Sequence, residues 1–241
     1  MAADGAMRLS AVRQAADSLL REYFRCWMHL VPVELYRLSA TLRTEVVRST
    51  ILKGEAVLMP TRDGFRIIVN SSSPVGRYRA SVAHELSHTL FYDAESAGVP
   101  IRRIPYTRRE EPFCFDVARH MLAPKEHLDA IGVFVERDPA AILARLTDRL
   151  FLSRPWAARV MLADYTLVRG IAGRWKRTEQ GWLPEYSSSS ASPDLTQRER
   201  KKLRDAVGKW LDSGAEPPRS MRIASIEEKS GEGIFVLIAE G

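Results

Sequence analysis

Residues 81–91 read SVAHELSHTLF and contain His84-Glu85-Leu86-Ser87-His88, an HExxH pattern. At about 100° per residue, a helix sets His88 about 40° around from His84 and one turn further along. Both imidazoles can then reach a single ion. Glu85 stands about 100° from His84, at the edge of the same face. Zinc accepts two imidazole nitrogens, and a catalytic site adds a third protein ligand and keeps one position for water. The ion lowers that water's pKa from about 15.7 to about 7. A carboxylate at position 85 is placed to take the proton and later deliver it to a leaving amine. The pattern fixes three positions, two of them to a residue that occurs only five times in the chain, so coincidence is a poor account of it.

A third ligand has to come from further along. On a continued helix Asp93 would point away from His84. Glu95 would face the right way but lie about 16 Å further along the axis. Glu110 and Glu111 come next, at the start of another helix, where a packed element can hold a carboxylate rigidly. Glu111 is preferred over Glu110. The bland alternative for both is a solvated acidic pair favouring a helix N-terminus.

Around the motif the chain reads as α+β and mainly helical. Apolar residues from Leu9 to Trp27 recur at helical spacing and predict a helix over 7–29, with a shorter one over 33–38. Two β-prone runs within 55–70 flank Asp63-Gly64, a hairpin signal. The motif helix is expected over about 77–92 and a surface loop over 93–110. A further helix starts near Pro112 and stops before Pro124. Residues 139–164 read as two helices broken near Leu152-Ser153. SSSSASP (187–193) reads as a linker. A basic helix over 195–212 and the apolar strand GIFVLIAE follow. The expected organisation is a domain over 1–186 with its core in 31–165, the linker, and a small helix–strand module over 194–241.

Composition sets the outer limits. Of 241 residues, 45% are hydrophobic and 27% charged, which excludes a disordered, collagen-like or coiled-coil chain. Cys26 and Cys114 are the only cysteines, so no disulfide framework is expected. Arg8, Arg13 and Asp17 interrupt any secretory h-region, and no run is long and apolar enough for a membrane span. A cytoplasmic protein is the expectation. Lys and Arg number 36 against 30 Asp and Glu, a net charge of +6 that permits an acidic partner without naming one.

The run IIVNSSSPVGRYRASVAHELSHTLF resembles the ImmA/IrrE family of metallo-endopeptidases, in which a strand ending in Asn precedes a loop, an Arg-rich helix start and an AHELxH core. EPFCFDVARHMLAP (111–124) resembles the family's second signature, and VPVELYRLSATL (31–42) its opening. The likeness covers about 31–165. It implies a zincin-like fold, with a small sheet beside the HExxH helix. It also implies Zn2+ held by His84, His88 and Glu111, with Glu85 as general base. The implied activity is cleavage of a peptide bond in another protein, often a helix-turn-helix repressor, in stress-response or toxin–antitoxin settings. Phe115 departs from the family's usual Asn or Asp, and Asp116 follows one place late.

Other residues have competing readings. Arg77 and Arg79 are substrate contacts or solvated charges at a helix start, the second preferred. Tyr92 and Tyr106 are oxyanion donors or, preferably, packing residues. Cys114 is a ligand or, preferably, a small residue in a helix interface. His120 suits an exposed pair with Asp116, and His29 and His127 belong to no constellation. Residues 139–164 form a helix-turn-helix or, preferably, structural helices. RERKKLR (198–204) is a nucleic-acid or acidic-partner contact or, preferably, the solvated side of an amphipathic helix. The rival functions are a non-catalytic metal-binding regulator and a DNA- or protein-binding module. Contact with nucleic acid is not favoured.

Overall fold

A computed structural model describes residues 2–27, 31–93, 98–163, 170–191, 193–213, 221–227 and 233–240. The chain is α+β and divides into two compact units. The first comprises Met1–His127 with Arg149–Leu152, the second Leu128–Asp148 with Ser153–Gly241. Among the described residues, no helix is long and apolar enough to cross a membrane.

The first unit opens with α1 (Ala2–Trp27), which buries Val12, Ala16, Leu20 and Tyr23, the stripe that the helical spacing predicts. α2 (Leu35–Thr41) buries Leu35 and Leu38. A three-stranded sheet follows, from β1 (Thr44–Ser49), β2 (Ala56–Thr61) and β3 (Gly64–Asn70), in the order β1-β3-β2. The expected hairpin is β2–β3, paired antiparallel from Ala56↔Val69 to Thr61↔Gly64. β1, parallel to β3, was not expected. β3 buries Phe65, Ile67 and Val69, the period-2 signature of a strand with one covered face. Gly64 has φ +138°, and a Cβ there would lie 2.1 Å from the Arg43 carbonyl oxygen, so the turn requires glycine.

The motif lies on α3 (Val75–Thr89), which packs on β2 and β3. Its covered side is lined by small and branched residues: Ala80, Val82, Ala83 and Leu86 are all buried. Within the expected loop, β4 (Tyr92–Asp93) and β5 (Ile101–Arg102) form a two-stranded ribbon. α4 (Glu110–Leu122) starts two residues before Pro112 and packs against α3. Val12 of α1, Phe91 and Cys114 of α4 share a buried cluster. α5 (Lys125–Ala130) runs into the second unit, to which α6 (Pro139–Leu150) belongs up to Asp148.

In the second unit, α7 (Arg154–Ala163) precedes a four-stranded antiparallel sheet. The strands are β6 (Gly170–Thr178), β7 (Gly181–Ala191), β8 (Met221–Glu227) and β9 (Gly233–Glu240), in the order β7-β6-β9-β8. α8 (Gln197–Ser213) sets Leu203 and Val207 against Ile171 and Trp175 of β6. Two expectations are corrected here. Residues 187–191, read as linker, are the end of β7: serine hydroxyls do not prevent the backbone from joining a ladder. The helix and strands of 194–241 are not a separate module, because β9 pairs with β6 from Gly233 to Ala239.

Candidate metal centre

One turn of α3 brings the two motif imidazoles together, with their Nε2 atoms 3.2 Å apart and ring planes at 84°. α4 presents Glu111 from its first turn. Glu111 Oε2 is 3.2 Å from His84 Nε2, and Oε1 is 3.6 Å from His88 Nε2. Tetrahedral zinc with ligands at about 2.0–2.1 Å separates its donor atoms by about 3.3 Å. The spacing of this triangle therefore suits one ion, and two imidazoles with a carboxylate are a donor set zinc accepts. The two imidazoles are largely buried, while the Glu111 side chain is 44% exposed, so the triangle opens to solvent on the Glu111 side.

Glu110 does something the sequence reading missed. Its side chain is 1% exposed, so it is not half of a solvated pair. Oε1 lies 2.8 Å from His88 Nδ1, and Oε2 accepts a hydrogen bond from the Arg102 guanidinium. A buried carboxylate can only accept from Nδ1–H. That fixes the tautomer and leaves the Nε2 lone pair of His88 directed at the triangle. Carboxylate–histidine pairs of this kind orient metal ligands and raise their basicity. Arg102 is itself held, donating from Nε to the Ile104 carbonyl at 2.8 Å. Its guanidinium also lies over the rings of Phe91 and Tyr92.

Glu85 is half-buried. Burial pushes its carboxyl above the usual range and Glu111 adds to this, while His88 and a hydrogen bond from the Leu58 backbone of β2 pull the other way. Cys114 is fully buried, its Sγ 3.5 Å from His88 Nδ1. His88, Glu110 and Cys114 are thus a second group close enough to share an ion. The hydrogen bonding disfavours it, because His88 Nδ1 is committed to Glu110; in the metal-free site burial, reinforced by the nearby carboxylates, pushes the Cys114 thiol above its ordinary pKa. Phe115 covers His84, with ring centroids 4.3 Å apart.

The remaining candidates have other partners. Asp93 pairs with Arg103 at 2.6 Å, and Glu95 and His29 lie outside the described residues. Asp116 does not make the expected exposed pair with His120. It bonds Arg13 of α1 and, at 2.8 Å, Arg119, and Arg119 also approaches His120 Nε2 at 3.0 Å. Tyr92 packs edge-on against Phe65, and Tyr106 is exposed. His127 is buried edge-on against Phe24. Arg77 pairs with Glu55 at 3.6 Å, and Arg79 turns inward to donate to the Val33 carbonyl. α7 buries Ala157, Ala158, Val160, Met161 and Leu162, and the basic run 198–204 keeps Lys201 and Lys202 exposed while Leu203 is buried.

No family model matches the chain, and no curated protein matches it. A solved structure of a Mycobacterium tuberculosis transcriptional regulator superposes with a TM-score of 0.48 at 12% identity, covering 95% of this chain and 70% of that one. At that level the likeness carries neither the fold nor the function across.

Proposed function

We propose that this protein is a zinc-dependent endopeptidase with a zincin-like catalytic unit. The observation that carries the reading is the triangle of His84 Nε2, His88 Nε2 and Glu111, with edges of 3.2, 3.2 and 3.6 Å. A bound ion would supply Lewis acidity and acidify a water molecule at neutral pH. His84, His88 and Glu111 would hold it. Glu110, braced by Arg102, keeps the Nε2 lone pair of His88 turned inward. Glu85, whose carboxylate accepts from the Leu58 backbone N–H, would take the proton of the attacking water and return it to the leaving amine. A protein substrate would approach from the Glu111 side, where that side chain is 44% exposed. The resemblance to the ImmA/IrrE family supports a helix-turn-helix repressor as that protein, inside the cytoplasm.

Glu85→Gln tests the reading. The variant should bind one zinc per chain as the wild type does and lose cleavage of any helix-turn-helix repressor, tested from the neighbouring genes, that the wild type cleaves. Cleavage at the wild-type rate would refute the role of Glu85. A non-catalytic, metal-binding regulator is the second reading, favoured by the Phe115 ring lying against His84. It predicts zinc binding with no cleavage by the wild type.

A further inference from the structure

A cavity of about 430 Å3 lies in the first unit, on the other side of α3 from the histidine triangle. Its lining includes Arg48 of β1, Tyr78 and Arg79 of α3, and Glu34, with Val75 and Phe151 as apolar walls. Arg79 is five residues before His84, about 140° around the helix, so a group in this cavity does not share the metal centre.

The two arginines lack carboxylate partners among the described residues. Arg79 is half-buried; it donates to the Val33 carbonyl at 3.0 Å, and its Nε is buried with no acceptor among the described residues. Burial lowers its pKa, and of its neighbours only the Tyr23 phenol opposes that shift. A guanidinium held in that state has unspent donors and an unmatched charge. Arg48 lies with its guanidinium 4.4 Å from the Tyr78 ring centre. Stacking occupies the face of a guanidinium and leaves the in-plane N–H groups to bind. Glu34 does not cancel this charge, because it is already bonded to Arg37 at 2.5 Å, and Arg37 lies over the Trp27 ring. The cavity therefore combines two available guanidinium groups with exposed apolar walls at Val75 and Phe151.

We infer that this cavity binds an oxyanion, carboxylate or phosphate, attached to an apolar body. The arginines supply charge-assisted hydrogen bonds, and the Val75 and Phe151 side chains cover the apolar part.

The test is calorimetric titration of the full chain in chelator, which removes any metal-borne anion site. The probes are benzoate, phenyl phosphate, inorganic phosphate and benzyl alcohol. At least one aromatic oxyanion should bind one-to-one with a Kd of about 1 mM or tighter, and more tightly than phosphate or benzyl alcohol. Benzoate against phenyl phosphate then tells which oxyanion the site prefers. Arg48→Gln, at an exposed position that does not hold the fold, should weaken binding about tenfold, the scale of one hydrogen bond to a charged group. Arg79→Gln should do the same, and its unfolding midpoint reports whether the Val33 contact also mattered. Failure of both aromatic oxyanions to bind, equal binding of benzyl alcohol, or an Arg48→Gln effect under fivefold would overturn the inference.

Discussion

Removing Glu110 should weaken zinc binding without removing a ligand. Glu110 Oε1 takes the His88 Nδ1 proton at 2.8 Å in a site that solvent barely reaches. Loss of such a partner costs about 10–100-fold in metal affinity, or roughly 1.4–2.7 kcal/mol. Glu110→Ala should therefore fall in that range, measured by competition with a chromophoric chelator. Glu110→Gln keeps an acceptor for Nδ1 and loses only the charge, so its affinity should lie between wild type and Glu110→Ala. Both variants leave the Arg102 guanidinium short of its counter-charge. Breaking a buried pair costs roughly 3–5 kcal/mol of stability, and partial solvent access at Arg102 places the cost at the lower end. Urea unfolding of the metal-free variants measures that part separately. A folded Glu110→Ala protein that binds zinc within twofold of wild type would show that Glu110 does not orient His88.

Further outcomes follow from other parts of the structure. Burial works against ionisation of Asp116, but its bonds to Arg13 and Arg119 outweigh burial and hold its pKa below the ordinary carboxylate value. A depressed folded pKa stabilises above the unfolded value, near 4, and that contribution fades as pH falls through the folded one. Asp116→Asn should thus cost about 1 kcal/mol at pH 7, after discounting for the half-exposed Arg13. The difference from wild type should shrink below about pH 4, and an equal difference in urea midpoint at pH 7 and pH 3 would contradict the assignment. Gly64→Ala should destabilise the first unit by about 1–3 kcal/mol, because its Cβ meets the Arg43 carbonyl and its φ is unfavourable for a side chain. An unchanged melting temperature would refute that.

The sequence was most legible where a period carries chemistry. Helical spacing placed His84 and His88 on one face, and the second signature pointed to Glu111, which the fold brings beside them. The hairpin at Asp63-Gly64 and the strand GIFVLIAE were visible for the same reason, since alternation or an apolar run marks a covered face. What stayed hidden was set by tertiary environment. Glu110 and Glu111 are chemically identical neighbours, and only the packing of α4 on α3 buries one and exposes the other. Arg102 sits in a stretch rich in arginine and proline that reads as loop, and its value comes from facing Glu110. β7 escaped because Gly, Pro and a serine run carry little strand signal, and its pairing with β6 is what makes it a strand.

X-ray absorption on the zinc-loaded chain tests the central claim most directly. The account predicts one zinc per chain, a first shell of nitrogen and oxygen at about 2.0–2.1 Å, and loss of the ion in His84→Ala and His88→Ala. A sulfur scatterer at about 2.3 Å would move the ion to Cys114, and a chain that takes up no zinc would contradict the claim altogether.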